Sequence, residues 1–123
     1  MRNFFFWILF YTLVMAFSQI LLKIGTTQIG GFVIKEFKDI IFMAFKVLIN
    51  PPIMLAIALM VSCFFLWIFI LSWAKLGLVF PLTALTYVFV AVMSFSLLGE
   101  RLSIYNYFGV FLIVLGVFFL LYR

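Results

Sequence analysis

The chain has 123 residues, 70% hydrophobic and 9% charged, with a mean hydropathy of +1.45, a balance that excludes a soluble globular domain and specifies an integral membrane protein. The net charge of +5 comes from eight basic and three acidic residues. These lie near span ends and in connecting segments, where they implicate lipid phosphate rather than nucleic acid.

A helix crosses a hydrocarbon core of about 30 Å with roughly 20 apolar residues. Charge-free intervals of that length run from Asn3 to Leu22, Val47 to Ala74, Leu76 to Gly99 and Leu102 to Tyr122. They predict four spans, at about 3–24, 51–74, 77–98 and 103–122, in one domain over 1–123. Backbone polar groups in lipid must be satisfied within each helix, so the expected fold is an all-α membrane protein.

The first apolar run is too long for a signal peptide, and no small-residue cleavage site follows it. It opens on the aromatic stretch FFFWILFY and is expected to end near Ile24 or Gly25, where GTTQIGG supplies breakers. In the next segment, about 32–48, Lys35, Glu36, Lys38, Asp39 and Lys46 gather on one arc at about 100° per residue. That pattern predicts an amphipathic helix lying in the interface, with its lysines toward lipid headgroups and its phenylalanines and isoleucines in the acyl boundary. A lengthened, tilted start to the second span is the alternative.

Asn50-Pro51-Pro52 forces a break and opens the second span. That span holds Cys63 and closes at SWAKLG, where Trp73 and Lys75 read as interfacial anchors. Cys63 is the only cysteine and histidine is absent, so no set of residues suits a metal, a disulfide or Cys/His catalysis. Neither an enzyme nor a bound cofactor is expected. The third span contains Pro81, Thr83, Thr86, Tyr87, Ser94 and Ser96 and ends at LLGERLS. The fourth, IYNYFGVFLIVLGVFFLLYR, sets Gly109 and Gly116 seven residues apart on one face, where a neighbouring backbone could approach, within the chain or from another copy.

Short connections imply helices that alternate in direction, which puts Lys23, Lys35, Lys38, Lys46, Glu100 and Arg101 on one membrane side and Arg2, Lys75 and Arg123 on the other. Five lysines and arginines against three favour the first side as cytoplasmic. On the first span Tyr11, Met15, Ser18, Gln19, Leu22 and Lys23 fall on one stripe. An amide exposed to lipid would leave its donors and acceptor unpaired, so Gln19 should face other helices or a polar cavity. A helix-to-helix hydrogen bond for Gln19 and simple snorkelling for Lys23 are the alternatives. Glu100 is a candidate ion-pair partner for Lys23. No carboxylate lies inside any span, whereas a proton-for-cation exporter needs an embedded acid.

Two stretches, FSQILLKIG and LGLVFPLTALTYVFVAVMSFSLLGERLSIYNYFGVFLIVLGVFFL, resemble the four-helix members of the drug/metabolite transporter (EamA-like) superfamily. Within it the chain is most similar to the flippase subunits that move aminoarabinose-linked undecaprenyl phosphate, and more distantly to the small multidrug resistance exporters. Gln19 and Lys23 match the polar pair of the first helix, Pro81 the proline opening the third, Glu100 the acid before the fourth, and Gly109 with Gly116 the glycine pair within it. Met15 stands where the multidrug exporters carry their essential glutamate. The resemblance therefore implies a polyprenyl-phosphate-linked sugar or similar anionic lipid as cargo. It also implies a bacterial inner-membrane location and both termini cytoplasmic, against the lysine and arginine count.

On this reading Ser18, Gln19, Lys23, Thr83, Tyr87, Glu100 and Arg101 line the cargo site, Lys35, Lys38 and Lys46 gather headgroups, and Pro81, Gly109 and Gly116 serve packing. Four helices enclose little volume, so a dimer, with itself or a related subunit, is the expected working unit. The rival readings are a multidrug-type exporter of cations or metabolites and a non-transporting assembly subunit.

Overall fold

A chain this apolar satisfies its backbone within helices, and the computed structural model, which describes residues 2–30 and 33–122, is helical throughout its ordered elements. The helices are α1 (Arg2–Ile29), α2 (Phe37–Ile49), α3 (Pro51–Leu71), α4 (Leu76–Leu82), α5 (Leu85–Leu98) and α6 (Ile104–Leu121). Four stretches are long and apolar enough to cross a membrane: Asn3–Ile29, Pro51–Leu71, Leu76–Leu98 and Ile104–Leu121. The protein is an all-α, multi-pass membrane protein.

Two boundaries differ most from the sequence expectation. α1 continues past Gly25 to Ile29. The threonines of GTTQ turn their hydroxyls back onto the helix, Thr26 Oγ1 and Thr27 Oγ1 both donating to the Lys23 carbonyl at 2.9 and 2.7 Å. Used this way, threonine supports a last turn instead of breaking it. α2 starts only at Phe37, and residues 33–35 are not helical. Asp39 Oδ2 accepts the backbone N–H of Lys35 and of Glu36, each at 3.0 Å, and so fixes the N-cap at Glu36. Lys35 therefore precedes the helix and does not share its arc. Position 32, the expected start of the segment, and Arg123 lie outside the described residues, as does the side chain of Arg2.

The third span is divided. Pro81, in the last turn of α4, has no N–H to donate, and the chain passes through a tight turn at Thr83 and Ala84. Short-range bonds fill the gap: Thr83 N–H to the Phe80 carbonyl at 3.1 Å, Ala84 N–H to Pro81 at 3.0 Å and Thr86 N–H to Thr83 at 2.9 Å.

Buried side chains from every span meet at one end of the bundle. Ile8 of α1, Ile70 of α3, Val79 and Leu82 of α4 and Val117 of α6 form a buried cluster. Around it Trp7 meets Phe69 edge-on at 5.5 Å and Tyr11 lies against Trp67 at 5.3 Å. The start of α1, the end of α3, the start of the third span and the end of α6 thus share one end, as alternating helices require. At the other end α1 and α3 meet at Gly25. A Cβ there would overlap the Ile53 side chain and come within 2.8 Å of Asn50 Oδ1. Asn50 caps α3, accepting Ile53 N–H at 3.3 Å, and donates its amide to Gln28 Oε1 at 3.4 Å.

Close approach at glycine thus occurs at Gly25. An added Cβ at Gly109 or Gly116 meets nothing within 4 Å, so neither is packed by another helix of the same chain. Gly25→Ala should cost about 1–3 kcal/mol through overpacking. Gly109→Ala and Gly116→Ala, with open space for the Cβ, should not destabilise the monomer and should gain up to about 1 kcal/mol each from helix propensity, as thermal unfolding of monomeric protein in detergent will measure.

The Lys35 and Glu36 amides hold the Asp39 carboxyl below the usual carboxylate range. Because the pKa is depressed in the folded state, the stabilisation of the α2 start is complete above the ordinary value and is lost as pH falls through the folded one. The backbone amide shifts of Lys35 and Glu36 should titrate together with a midpoint below about 3.9. Asp39→Asn should abolish that titration.

Candidate functional site

Along α1, Ile8, Thr12, Ala16, Gln19 and Lys23 follow one another at spacings of four, four, three and four, which keeps them on one helical face. The first three are buried. Gln19 and Lys23, on the same face, are exposed. A face that enters the core at one end therefore emerges from it at the other.

The cause is visible in α6. Val117, near its C-terminal end, is its only buried residue, and Ile104, Tyr105, Tyr107 and Phe108 at its start are all exposed. The fourth span buries 6% of its most apolar window, against 28% for the first. α6 is buried against the bundle only at Val117, while at the other end Ser18, Ile20, Ile53 and Ala56 keep the α1–α3 contact buried and Gln19 and Lys23 lie exposed beside it.

The other sequence candidates divide. Ser18 is buried and donates its hydroxyl to the Val14 carbonyl at 2.9 Å. It sits about 100° around the helix from Gln19 and does not join the opening. Thr83 likewise spends its hydroxyl, on Phe80 O at 2.5 Å. Tyr87 is 67% exposed, two turns from buried Ser94 on the same α5 face. Met15 is half-buried on α1.

Glu100 has a partner other than Lys23. The Ser94 hydroxyl donates to its Oε2, and the Glu100 N–H donates to the Ser94 carbonyl at 3.3 Å. Gly99, at φ +67°, makes the left-handed turn that brings the acid back over the helix end. Glu100 thus clasps the 99–103 turn to α5, and Arg101, exposed beside it, makes no ion pair or side-chain hydrogen bond among the described residues. Lys38 and Lys46 are exposed on α2, and Lys46 Nζ sits 4.6 Å from the Phe42 ring centroid.

Sequence reasoning missed Gln28 and the bridging role of Asn50. A signal for Asn50 existed, since an asparagine directly before two prolines is a strong N-cap. The Ser94–Glu100 clasp depends on a turn geometry that no spacing rule specifies.

Four apolar spans with a polar opening at one end fit a small multi-pass membrane transporter. The chain is 32% identical over 66 residues to the "Probable 4-amino-4-deoxy-L-arabinose-phosphoundecaprenol flippase subunit ArnE" of Pectobacterium atrosepticum. The match takes in 54% of this chain and 58% of that protein, so it spans less than two thirds of the relative's length. No protein-family model matches the chain, and no solved structure does.

If the α1 face emerges as described, cysteines placed at 19 and 23 should react with a membrane-impermeant maleimide in reconstituted protein, while those at 12 and 16 stay unreactive. Buried Cys63 supplies the internal baseline.

Proposed function

We propose that the protein is a subunit of a transporter that moves an anionic amphiphilic lipid, a polyprenyl-phosphate-linked sugar or a close chemical equivalent, across the bacterial inner membrane. The observation that carries this reading is the exposure of Gln19 and Lys23 on a helix face whose other half is core.

An ammonium and an amide four residues apart suit a phosphodiester flanked by sugar hydroxyls. Lys23 supplies charge, and Gln19 supplies two donors and an acceptor. Arg101, on the turn at the same end of the bundle, supplies a second cation. The lipid tail needs no pocket, because the opening lies between spans and the bilayer itself solvates the tail.

With the Ser18 and Thr83 hydroxyls committed to backbone carbonyls, the polar work at the opening falls to Gln19, Lys23 and Arg101, with Tyr87 within the third span. The absence of any carboxylate from the spans speaks against a proton-for-cation exporter. The name of the Pectobacterium relative supports both the lipid class and a working unit of more than one chain. The weakly buried α6, with open space at Gly109 and Gly116, is the surface for a second copy or a related subunit.

Lys23→Ala removes a charge-assisted contact worth roughly 1.5–3 kcal/mol, an expected loss of about ten- to hundredfold in affinity for a polyprenyl-phosphate lipid. Gln19→Leu keeps the bulk without the amide and should lower transport more than expression. Both are to be read by lipid binding to purified protein and by flipping in reconstituted vesicles. Parental binding and transport by two well-folded variants would assign Gln19 and Lys23 to packing and favour the assembly-subunit reading.

A further inference from the structure

α2 is joined to α3 by Asn50 alone, in an extended conformation, so its C-terminal end is held at the end of a membrane span. At about 100° per residue its 13 residues resolve into three sectors. Asp39, Met43 and Val47, at spacings of four, are its only half-buried positions and mark the side turned to the bundle. Next comes a continuous apolar sector of Phe37, Ile40, Ile41, Ala44, Phe45 and Leu48, all exposed, with Phe45 at 63%. The third sector carries Lys38 and Lys46 at its edges, with Ile49 and Phe42 exposed between them and Phe42 under the Lys46 ammonium.

A helix upright in the bilayer would be apolar on every side away from the protein. A helix in water would not present six exposed apolar residues in one band. Only a helix lying flat beside the bundle needs three faces in this order, protein at one flank, acyl chains below and water above.

The charges of α2 are not balanced locally. Asp39 accepts two backbone amides, and neither it nor the N-cap Glu36 forms an ion pair with Lys38 or Lys46 among the described residues, so α2 carries two ammonium groups against one carboxylate. The geometry points to α2 as a membrane-surface helix that seats its Phe37–Leu48 apolar sector in the acyl boundary and holds anionic phospholipid headgroups through Lys38 and Lys46. This surface is separate from Gln19 and Lys23 and stands independently of what those residues bind.

The test uses the full chain reconstituted in phosphatidylcholine vesicles with and without phosphatidylglycerol, carrying single nitroxide labels at 38, 41, 45 or 46 in a Cys63→Ala background. Labels at 41 and 45 should collide preferentially with oxygen, and labels at 38 and 46 with a water-soluble nickel chelate. The pattern should persist when the protein is diluted in lipid. Nickel access at 41 and 45 would overturn the docking. Protection there that disappears on dilution would overturn it too, by assigning the face to a second copy.

For the headgroup preference, Lys38→Gln and Lys46→Gln in the unlabelled chain should each lower the enrichment of phosphatidylglycerol over phosphatidylcholine among co-purified lipids, by about fivefold per lysine at low salt. Unchanged enrichment in the double variant would remove the anionic recognition. Both lysines are exposed, so these variants should fold as the parent does.

Discussion

Close packing at one end of the bundle is the constraint on which the rest of this protein depends. In a bilayer the lipid tails are as apolar as leucine, so helices associate through van der Waals fit and interhelical hydrogen bonds rather than through exclusion of water. Here that fit brings all the spans together where Ile8, Ile70, Val79, Leu82 and Val117 meet, with Trp7, Tyr11 and Trp67 around them. Every span contributes to the cluster. At the opposite end α1 and α3 stay in contact through Ile20, Ile53 and Ala56, the first turns of α6 are exposed, and Gln19 and Lys23 of α1 come to the surface.

At the other end polar, local ties are added to the apolar contact of Ile20, Ile53 and Ala56. Asn50 ties the start of α3 to Gln28 of α1, with Gly25 allowing the contact, and Ser94 ties α5 to the turn that leads into α6. Hydrogen-bonded clasps of this kind hold chain segments in register without filling the space between helices.

Much of this was legible in the residues, for identifiable reasons. The four spans follow from the distances between charges, since a long apolar interval in a chain with so few ionic groups has no other stable use. The pairing of Gln19 with Lys23 follows from a spacing of four. Other features were hidden because they depend on what a side chain does with its second option. Thr26 and Thr27 look like breakers and act as helix supports, and Asp39 looks like part of a solvated arc and acts as a cap for the residues before it. Close approach within the chain falls at Gly25, beside two threonines, and not at the seven-residue pair in α6, which spacing alone could not distinguish. That Gln19 and Lys23 lie on an emerging face could be known only once the depth of each span in the core was known.

The division of the third span bears on how the protein is made. α4, at seven residues, extends about 10 Å, and α5, at fourteen, about 21 Å. Neither alone matches a hydrocarbon thickness of roughly 30 Å. The insertion machinery must therefore accept residues 76–98 as one hydrophobic unit, with the turn at Thr83 and Ala84 crossing the translocon inside it. The local hydrogen bonds from Thr83, Ala84 and Thr86 make that passage feasible, because they keep backbone groups paired before any other helix has arrived. A polar insertion at the turn would uncouple the halves during biogenesis and strand α4, with Val79 and Leu82, outside the core that the other spans need in order to assemble.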